Sequence, residues 1–135
     1  MLINNAGVIS RRRKNDINGF ESTMGTNHLG HFYLTYCLWD QIKKADKPRI
    51  ITLSSQAHKG MNPLISQSVP LQFDDMNFHH NYDWKTAYCR SKVANILFAK
   101  MLQTKMDQTG IDGFSVSVHP GAIFTDIGRE FGLLN

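Results

Sequence analysis

The chain has 135 residues, 41% of them hydrophobic and 19% charged, which is enough apolar material for one domain with a modest core. That balance excludes a disordered polyelectrolyte, and a net charge of +4 is too mild to make nucleic acid an expected partner. No stretch reads as a signal peptide or as an apolar run of about 18 residues. Two cysteines, Cys37 and Cys89, have no paired spacing, so a reduced compartment is expected. His28/His31 and His79/His80 lack a third ligand at a workable spacing, so no metal is expected.

Met1 to Asn5 reads as a short buried strand. Ala6-Gly7 ends it and lets the backbone pass close to a neighbour. Residues 8–17 read as loop, and their basic run Arg11-Arg12-Arg13-Lys14 as a solvated segment. Asn18 followed by Glu21 predicts a helix start, with Asn18 as cap and Glu21 reaching back. The helix is expected from about Gly19 to Lys44. Phe20, Met24, Leu29, Phe32, Tyr33 and Tyr36 occupy more than one of its faces, which predicts burial against a sheet and a partner subunit. Asn27 falls mid-helix, where asparagine is unfavourable without a reason.

Arg49 to Ser54 is a near-continuous apolar run, as expected of a parallel strand covered on both faces. Residues 56–83, with Gly60, Pro63 and Pro70, read as a long loop insertion. Its aromatics Phe73, Phe78 and Tyr82, with Trp84, are expected to wall an apolar pocket. A second helix is predicted from about Trp84 to Gln108, capped by Asp83 or Asn81, with Gly110 just beyond its end. Phe114 to His119 is the third strand, stopped by Pro120-Gly121, and His119 is expected to pack rather than react. Strand–helix–strand–helix–strand order predicts an α/β fold with a parallel sheet and right-handed crossovers. Sites in such sheets lie at the carboxyl ends of the strands, where Asn5-Ala6-Gly7, Ser55 and Pro120-Gly121 all fall.

Tyr88 and Lys92 are four apart on the second predicted helix, so their side chains share a face. An ammonium held beside a phenol favours the phenolate, which predicts a lowered Tyr88 pKa and a general acid/base. Ser54-Ser55, ending the apolar run, offers a hydroxyl for a substrate oxygen or simply begins a turn.

Taken in order, Leu2-Ile3-Asn4-Asn5-Ala6-Gly7, Thr26-Asn27-His28-Leu29-Gly30, Pro48 to Ser55, Tyr88-Cys89-Arg90-Ser91-Lys92 and His119 to Thr125 resemble the short-chain dehydrogenase/reductase family over nearly the whole chain. Ser-Ser-x-Ala-His and Tyr-x-x-Ser-Lys-x-Ala-Asn are most similar to its retinol dehydrogenase-like branch. The resemblance implies a partial Rossmann-like, doubly wound parallel sheet with about three strands and two long helices. It implies Asn27, Ser55, Tyr88 and Lys92 as catalytic residues, Ser55 being favoured over Ser54. Asn27 would widen its helix locally and support a water chain to the lysine. Asn4, Asn5, Ala6, Gly7, Tyr88, Lys92, Pro120, Gly121, Ile123 and Thr125 would hold NAD or NADP, with NADP the choice the branch suggests. Ser55, and Trp84 beside it, would meet an apolar alcohol or carbonyl substrate of retinoid, steroid or lipid-aldehyde kind. Asn95, close to the motif, receives no role.

No glycine-rich G-x-x-x-G-x-G turn occurs in the sequence, and residue 1 falls where the fourth strand of the family fold starts. Residues 1–135 are therefore expected to be a single partial domain, entered partway and ending soon after Thr125, where the family continues. A homodimer through the two long helices is expected, inside the cell, in the cytoplasm or on the cytosolic side of a membrane. The alternative function is a truncated, non-catalytic isoform that acts as a dimerising module.

Overall fold

The structure is a computed structural model and describes residues 1–61, 69–121 and 127. Three short strands, β1 (Leu2–Asn4), β2 (Arg49–Leu53) and β3 (Phe114–Val118), form a parallel sheet in the order β1-β2-β3. Both crossovers step in the same direction across the sheet, so right-handed connections put both helical segments on one face. Alternation then sorts the strand residues. Leu2, Asn4, Ile50, Thr52, Ser115 and Ser117 align on the helix side, and Ile3, Ile51, Leu53, Phe114, Val116 and Val118 on the other. Ile3, Phe114, Val116 and Val118 are exposed there. The apolar run in β2 predicted cover on both faces; among the described residues only one face is covered.

The first helical segment departs from the expected Gly19–Lys44 helix. It consists of α1 (Ser22–Met24), a π segment (Gly25–Leu29), α2 (Gly30–Cys37) and, after a break at Leu38, α3 (Trp39–Lys44). Glu21, not Asn18, is the cap: its carboxylate accepts the backbone N–H of Thr23 at 2.9 Å and of Met24 at 2.8 Å. The reason lies upstream. The Asp16 carboxylate takes the amides of Asn18 at 2.8 Å and Phe20 at 2.9 Å, winding residues 16–20 into a turn with Gly19 at φ +84°. Gly25 permits the close approach of that carboxylate, since a β-carbon there would stand 2.5 Å from Asp16 Oδ2.

Burial also differs from the apolar pattern. Asn27, His31 and Thr35 are buried, whereas Phe32, Tyr33 and Tyr36 are exposed. Apolar residues on several faces therefore do not mean burial on several faces within this chain.

The second helix, α4 (Trp84–Gln108), has the predicted limits, and the Asp83 carboxylate caps it by accepting the Thr86 N–H at 2.9 Å. Its C-terminal half packs Leu102 and Met106 on Ile42 and Ile50, the main core, flanked by Leu38, Trp39 and Phe98. Each fully buried side chain of this kind contributes roughly 1.5–3 kcal/mol. Its N-terminal half buries Tyr88, Ser91, Lys92 and Asn95 instead. One sheet face is thus apolar at the strand starts and polar at the strand ends, and buried polar groups need specific partners.

The insertion forms short 3₁₀ turns at Gln56–Lys59 and Phe73–Asp75. The expected apolar pocket is not what the described residues form: Phe78 lines a hollow of about 590 Å³ whose other walls, among them Asp74, Asp75, His79 and Arg90, are polar. Phe78 lies under the Arg90 guanidinium at 4.6 Å and edge-on to Tyr82 at 5.6 Å, while Phe73 is exposed. The Tyr82 hydroxyl donates to the Ser10 carbonyl at 2.6 Å, and Arg13 Nε donates to the Asn77 carbonyl at 2.9 Å. These bonds tie the insertion to the 8–17 loop, so Arg13 is structural rather than merely solvated.

Candidate active site

Tyr88 projects from the polar half of α4 into a cluster with Ala57 and Cys89, flanked by Ile9, Val69 and Ile127. Its phenol lies close to the Ser55 side chain. Burial pushes the phenol pKa up, and the nearby Ser55 hydroxyl offsets part of that rise. The two adjacent serines have separate tasks. Ser54 Oγ donates to the Lys92 carbonyl at 2.9 Å, fastening α4 to the end of β2, while Ser55 reaches Tyr88 and accepts the Ala57 N–H at 3.2 Å.

The expected lowering of the Tyr88 pKa by Lys92 is not found. Lys92 Nζ lies 5.4 Å from the Tyr88 ring centroid and donates to the Leu53 carbonyl at 3.2 Å. The ammonium therefore rests over the ring and not at the hydroxyl. Spacing settled which helix face the two share, but not which way the long lysine chain turns. Lys92 is only 3% exposed, and burial lowers its pKa to about 8.

Asn27 sits within the π segment, fully buried, and its amide is completely used. Oδ1 accepts the Val8 N–H at 2.7 Å, and Nδ2 donates to the Val8 carbonyl at 3.0 Å and to Ser91 Oγ at 3.0 Å. Ser91 Oγ donates in turn to the Tyr88 carbonyl at 2.7 Å. Asn27 thereby pins the loop after β1 to α4. At the start of that loop a Gly7 β-carbon would stand 3.8 Å from both Asn27 Oδ1 and Lys92 Nζ. Asn5 and Ala6 are exposed. Asn4 is buried and donates to Thr35 Oγ1 at 3.2 Å, so its amide braces β1 against α2.

Pro120 and Gly121 are exposed after β3, with Gly121 at φ +86°. Ile123 and Thr125 lie outside the described residues. Trp84 stands one turn before Tyr88, half-buried, with the Lys85 ammonium 5.6 Å from its ring. His119, expected to pack, is exposed. Cys37 is free and exposed; Cys89 is free, and burial raises its pKa, as expected of an inert thiol.

Sequence reasoning missed the roles of Ser91, Asn95, half-buried His28 and buried His31. Asn95 Nδ2 donates to the Leu53 carbonyl at 2.9 Å, and its Oδ1 meets His28 Nδ1 at 3.1 Å. His31 Nδ1 bonds the Asn27 carbonyl at 2.9 Å. Burial lowers the pKa of both histidines. A signal existed: Tyr88, Ser91, Lys92 and Asn95 recur at helical spacing and form one polar stripe. The assembled groups, a serine hydroxyl, a phenol and an ammonium, suit proton exchange with an oxygen.

Residues 1–69 match the family model for short chain dehydrogenases. The chain is 40% identical over 134 residues to retinol dehydrogenase 13 of Homo sapiens, spanning 98% of this chain and 38% of that protein. It is 38% identical over 138 residues to the chloroplastic short-chain dehydrogenase TIC 32 A of Brassica napus, spanning 98% of this chain and 42% of that protein. A crystal structure of a protein from Mycobacterium Paratuberculosis matches with TM-score 0.75 and 35% identity over 96% of this chain and 44% of that one.

The chain belongs to the short-chain dehydrogenase family.

The family's α/β fold is also shared by a 3-oxoacyl-[acyl-carrier protein] reductase from Brucella melitensis solved with NAD, at TM-score 0.65 and 22% identity over 97% of this chain and 46% of that one. This short-chain dehydrogenase segment spans well under half the length of the curated relatives it matches. A non-catalytic dimerising module is not favoured by relatives that are named as dehydrogenases. Among the described residues, no helix is long and apolar enough to cross a membrane.

Proposed function

We propose that this chain is the proton-handling part of an oxidoreductase that moves a hydride between NAD(P)(H) and an apolar alcohol or carbonyl compound. The observation that carries this reading is the Tyr88 phenol set close to the Ser55 side chain and beside the buried Lys92 ammonium, at the carboxyl edge of a parallel sheet. Tyr88 gives its proton to the carbonyl oxygen on reduction and takes it from the alcohol on oxidation, while Ser55 holds the same oxygen. Positioned proton transfer of this kind contributes roughly 10²–10⁴-fold. Burial keeps Tyr88 protonated at neutral pH, the form that reduction needs.

A nicotinamide cofactor fits the residues present. Lys92 has three N–H donors and, among the described residues, meets one protein acceptor, the Leu53 carbonyl, which leaves donors for ribose hydroxyls. The glycine at position 7 keeps the loop slim beside that ammonium. The bound cofactor supplies or accepts the hydride. Asn4 to Gly7 and Pro120 to Thr125 hold it in this reading, with NADP preferred.

The apolar surroundings of Tyr88 and the names of the retinol dehydrogenase relatives support a retinoid-, steroid- or lipid-aldehyde-like substrate, with Trp84 at its edge. A homodimer through the helices is supported by exposed Phe32, Tyr36 and Met101, which line an apolar groove of about 490 Å³ between α2 and α4. The reading places the enzyme inside the cell, in the cytoplasm or on the cytosolic side of a membrane.

The test is Tyr88→Phe in a chain extended to the length of its relatives, assayed with retinaldehyde and NADPH. Turnover should fall by about 100-fold or more with cofactor binding retained. Full turnover in that variant would end the proposal.

A further inference from the structure

We propose that His28 and Asn95 are positioning residues for Lys92, acting through the Leu53 carbonyl that Asn95 and Lys92 share. The catalytic meaning of this arrangement rests on the oxidoreductase reading; its geometry does not.

Asn95 lies one turn beyond Lys92 on α4 and is fully buried. An asparagine inside a helix has a propensity cost, and a buried amide must satisfy both its ends. Its Nδ2 and the Lys92 ammonium converge on one oxygen, the Leu53 carbonyl, at 2.9 Å and 3.2 Å. That carbonyl only accepts, so Asn95 must turn its NH₂ group toward it and its own oxygen toward His28, 3.1 Å away. The amide oxygen also only accepts. His28 Nδ1 must therefore carry the hydrogen, which fixes the imidazole as its Nδ1–H tautomer. Donation runs one way, from His28 to Asn95 to Leu53, with Lys92 as the second donor at its end.

This arrangement sets how firmly Lys92 is held at rest. Leu53 is the last residue of β2, directly before the two serines, and its carbonyl is the protein acceptor of the ammonium. With Asn95 on the same oxygen, Lys92 can swing toward a ligand without leaving the half-buried Leu53 carbonyl unpaired. The shared acceptor also binds the ammonium less tightly than an undivided one. Among the described residues, the groups facing Lys92 are the Tyr88 ring on its own helix, the Gly7 backbone, and His31 from α2, whose protonation the ammonium opposes. Burial disfavours the charged form of both histidines, so neither becomes a competing cation at neutral pH.

The test is NMR of the 135-residue chain labelled with ¹⁵N-histidine and ¹³C-lysine. Wild-type His28 should be the Nδ1–H tautomer. In Asn95→Ala the imidazole should relax toward Nε2–H, and the Lys92 midpoint should rise from about 8 by about one unit or more. His28→Ala should move Lys92 the same way but less, and the double variant no further than Asn95→Ala alone. Leu102→Ala, a cavity lower on the same helix, should reduce stability while moving neither signal. An Nε2–H tautomer in wild-type protein, or an unmoved Lys92 midpoint in folded Asn95→Ala, overturns the proposal. The tautomer measurement needs no variant, so it decides the matter even where substituted chains do not fold. A wild-type extended chain unable to transfer hydride would instead count against the oxidoreductase reading and leave both NMR signals as expected.

Discussion

Asn27→Ala should loosen the site through the loop rather than through the helix. The substitution removes the bonds to the Val8 N–H, the Val8 carbonyl and Ser91 Oγ. At about 1 kcal/mol net per bond, the loss is about 3 kcal/mol. Val8 is exposed, so water reaches its freed backbone groups and adds little further penalty. Alanine returns about 0.5 kcal/mol of helix propensity. The balance is a destabilisation of about 2–2.5 kcal/mol, or a fall in Tm of roughly 8 °C for a chain of this size. Calorimetry gives the melting temperature, and amide hydrogen exchange reports Val8 directly. Exchange at Val8 should accelerate well beyond that of the α4 core, because Val8 loses the Asn27 amide that clamps both its N–H and its carbonyl. Asn27→Asp keeps an acceptor for the Val8 N–H but sets an oxygen against the Val8 carbonyl, so it should be no better than alanine at pH 7. A cost below about 0.5 kcal/mol with Val8 protection unchanged would refute the reasoning.

Three further outcomes follow from the same geometry. Lys92 loses its proton near pH 8 when folded and near 10.5 when unfolded, so the unfolded state binds more protons in that window and rising pH favours folding. Relative to Lys92→Met, wild-type stability in urea should therefore gain about 3 kcal/mol between pH 7 and 10.5. The comparison with Lys92→Met is needed because buried Tyr88 and Cys89, both shifted upward, act in the opposite sense; parallel curves would refute the claim. Ser55→Ala removes the hydroxyl that offsets burial of the phenol, so ultraviolet titration should find Tyr88 higher still, and an unmoved midpoint would sink the assignment. Gly25→Ala drives a β-carbon to 2.5 Å from Asp16, which should cost about 1–3 kcal/mol in urea melts. Asp16→Ala in that background should recover part of the loss, and an unaffected melt would show that the turn yields freely.

The sequence by itself determined whatever is encoded within a few residues. The limits of α4 follow from Asp83 and Gly110, the parallel sheet from the strand–helix order, and the shared face of Tyr88 and Lys92 from their spacing. The ordered motifs also picked out Asn27, Ser55, Tyr88 and Lys92, which the fold brings to one end of the sheet. Tertiary structure decided the rest. Asn18 read as the cap with Glu21 reaching back, and the cap instead fell to Glu21 because Asp16 takes the Asn18 amide and Asn77 Oδ1, from the insertion, accepts the Glu21 amide at 3.0 Å. Residue chemistry alone does not separate Ser54 from Ser55; docking of α4 does, giving Ser54 to the Lys92 carbonyl and setting Ser55 close to the Tyr88 phenol. The direction of Lys92 depends on a carbonyl 39 residues away, the orientation of Asn95 on a histidine 67 residues away, and the sign of the Tyr88 shift on burial. Local periodicity says which face a side chain occupies. Only folding supplies the desolvation and the distant acceptors that set where its polar end comes to rest.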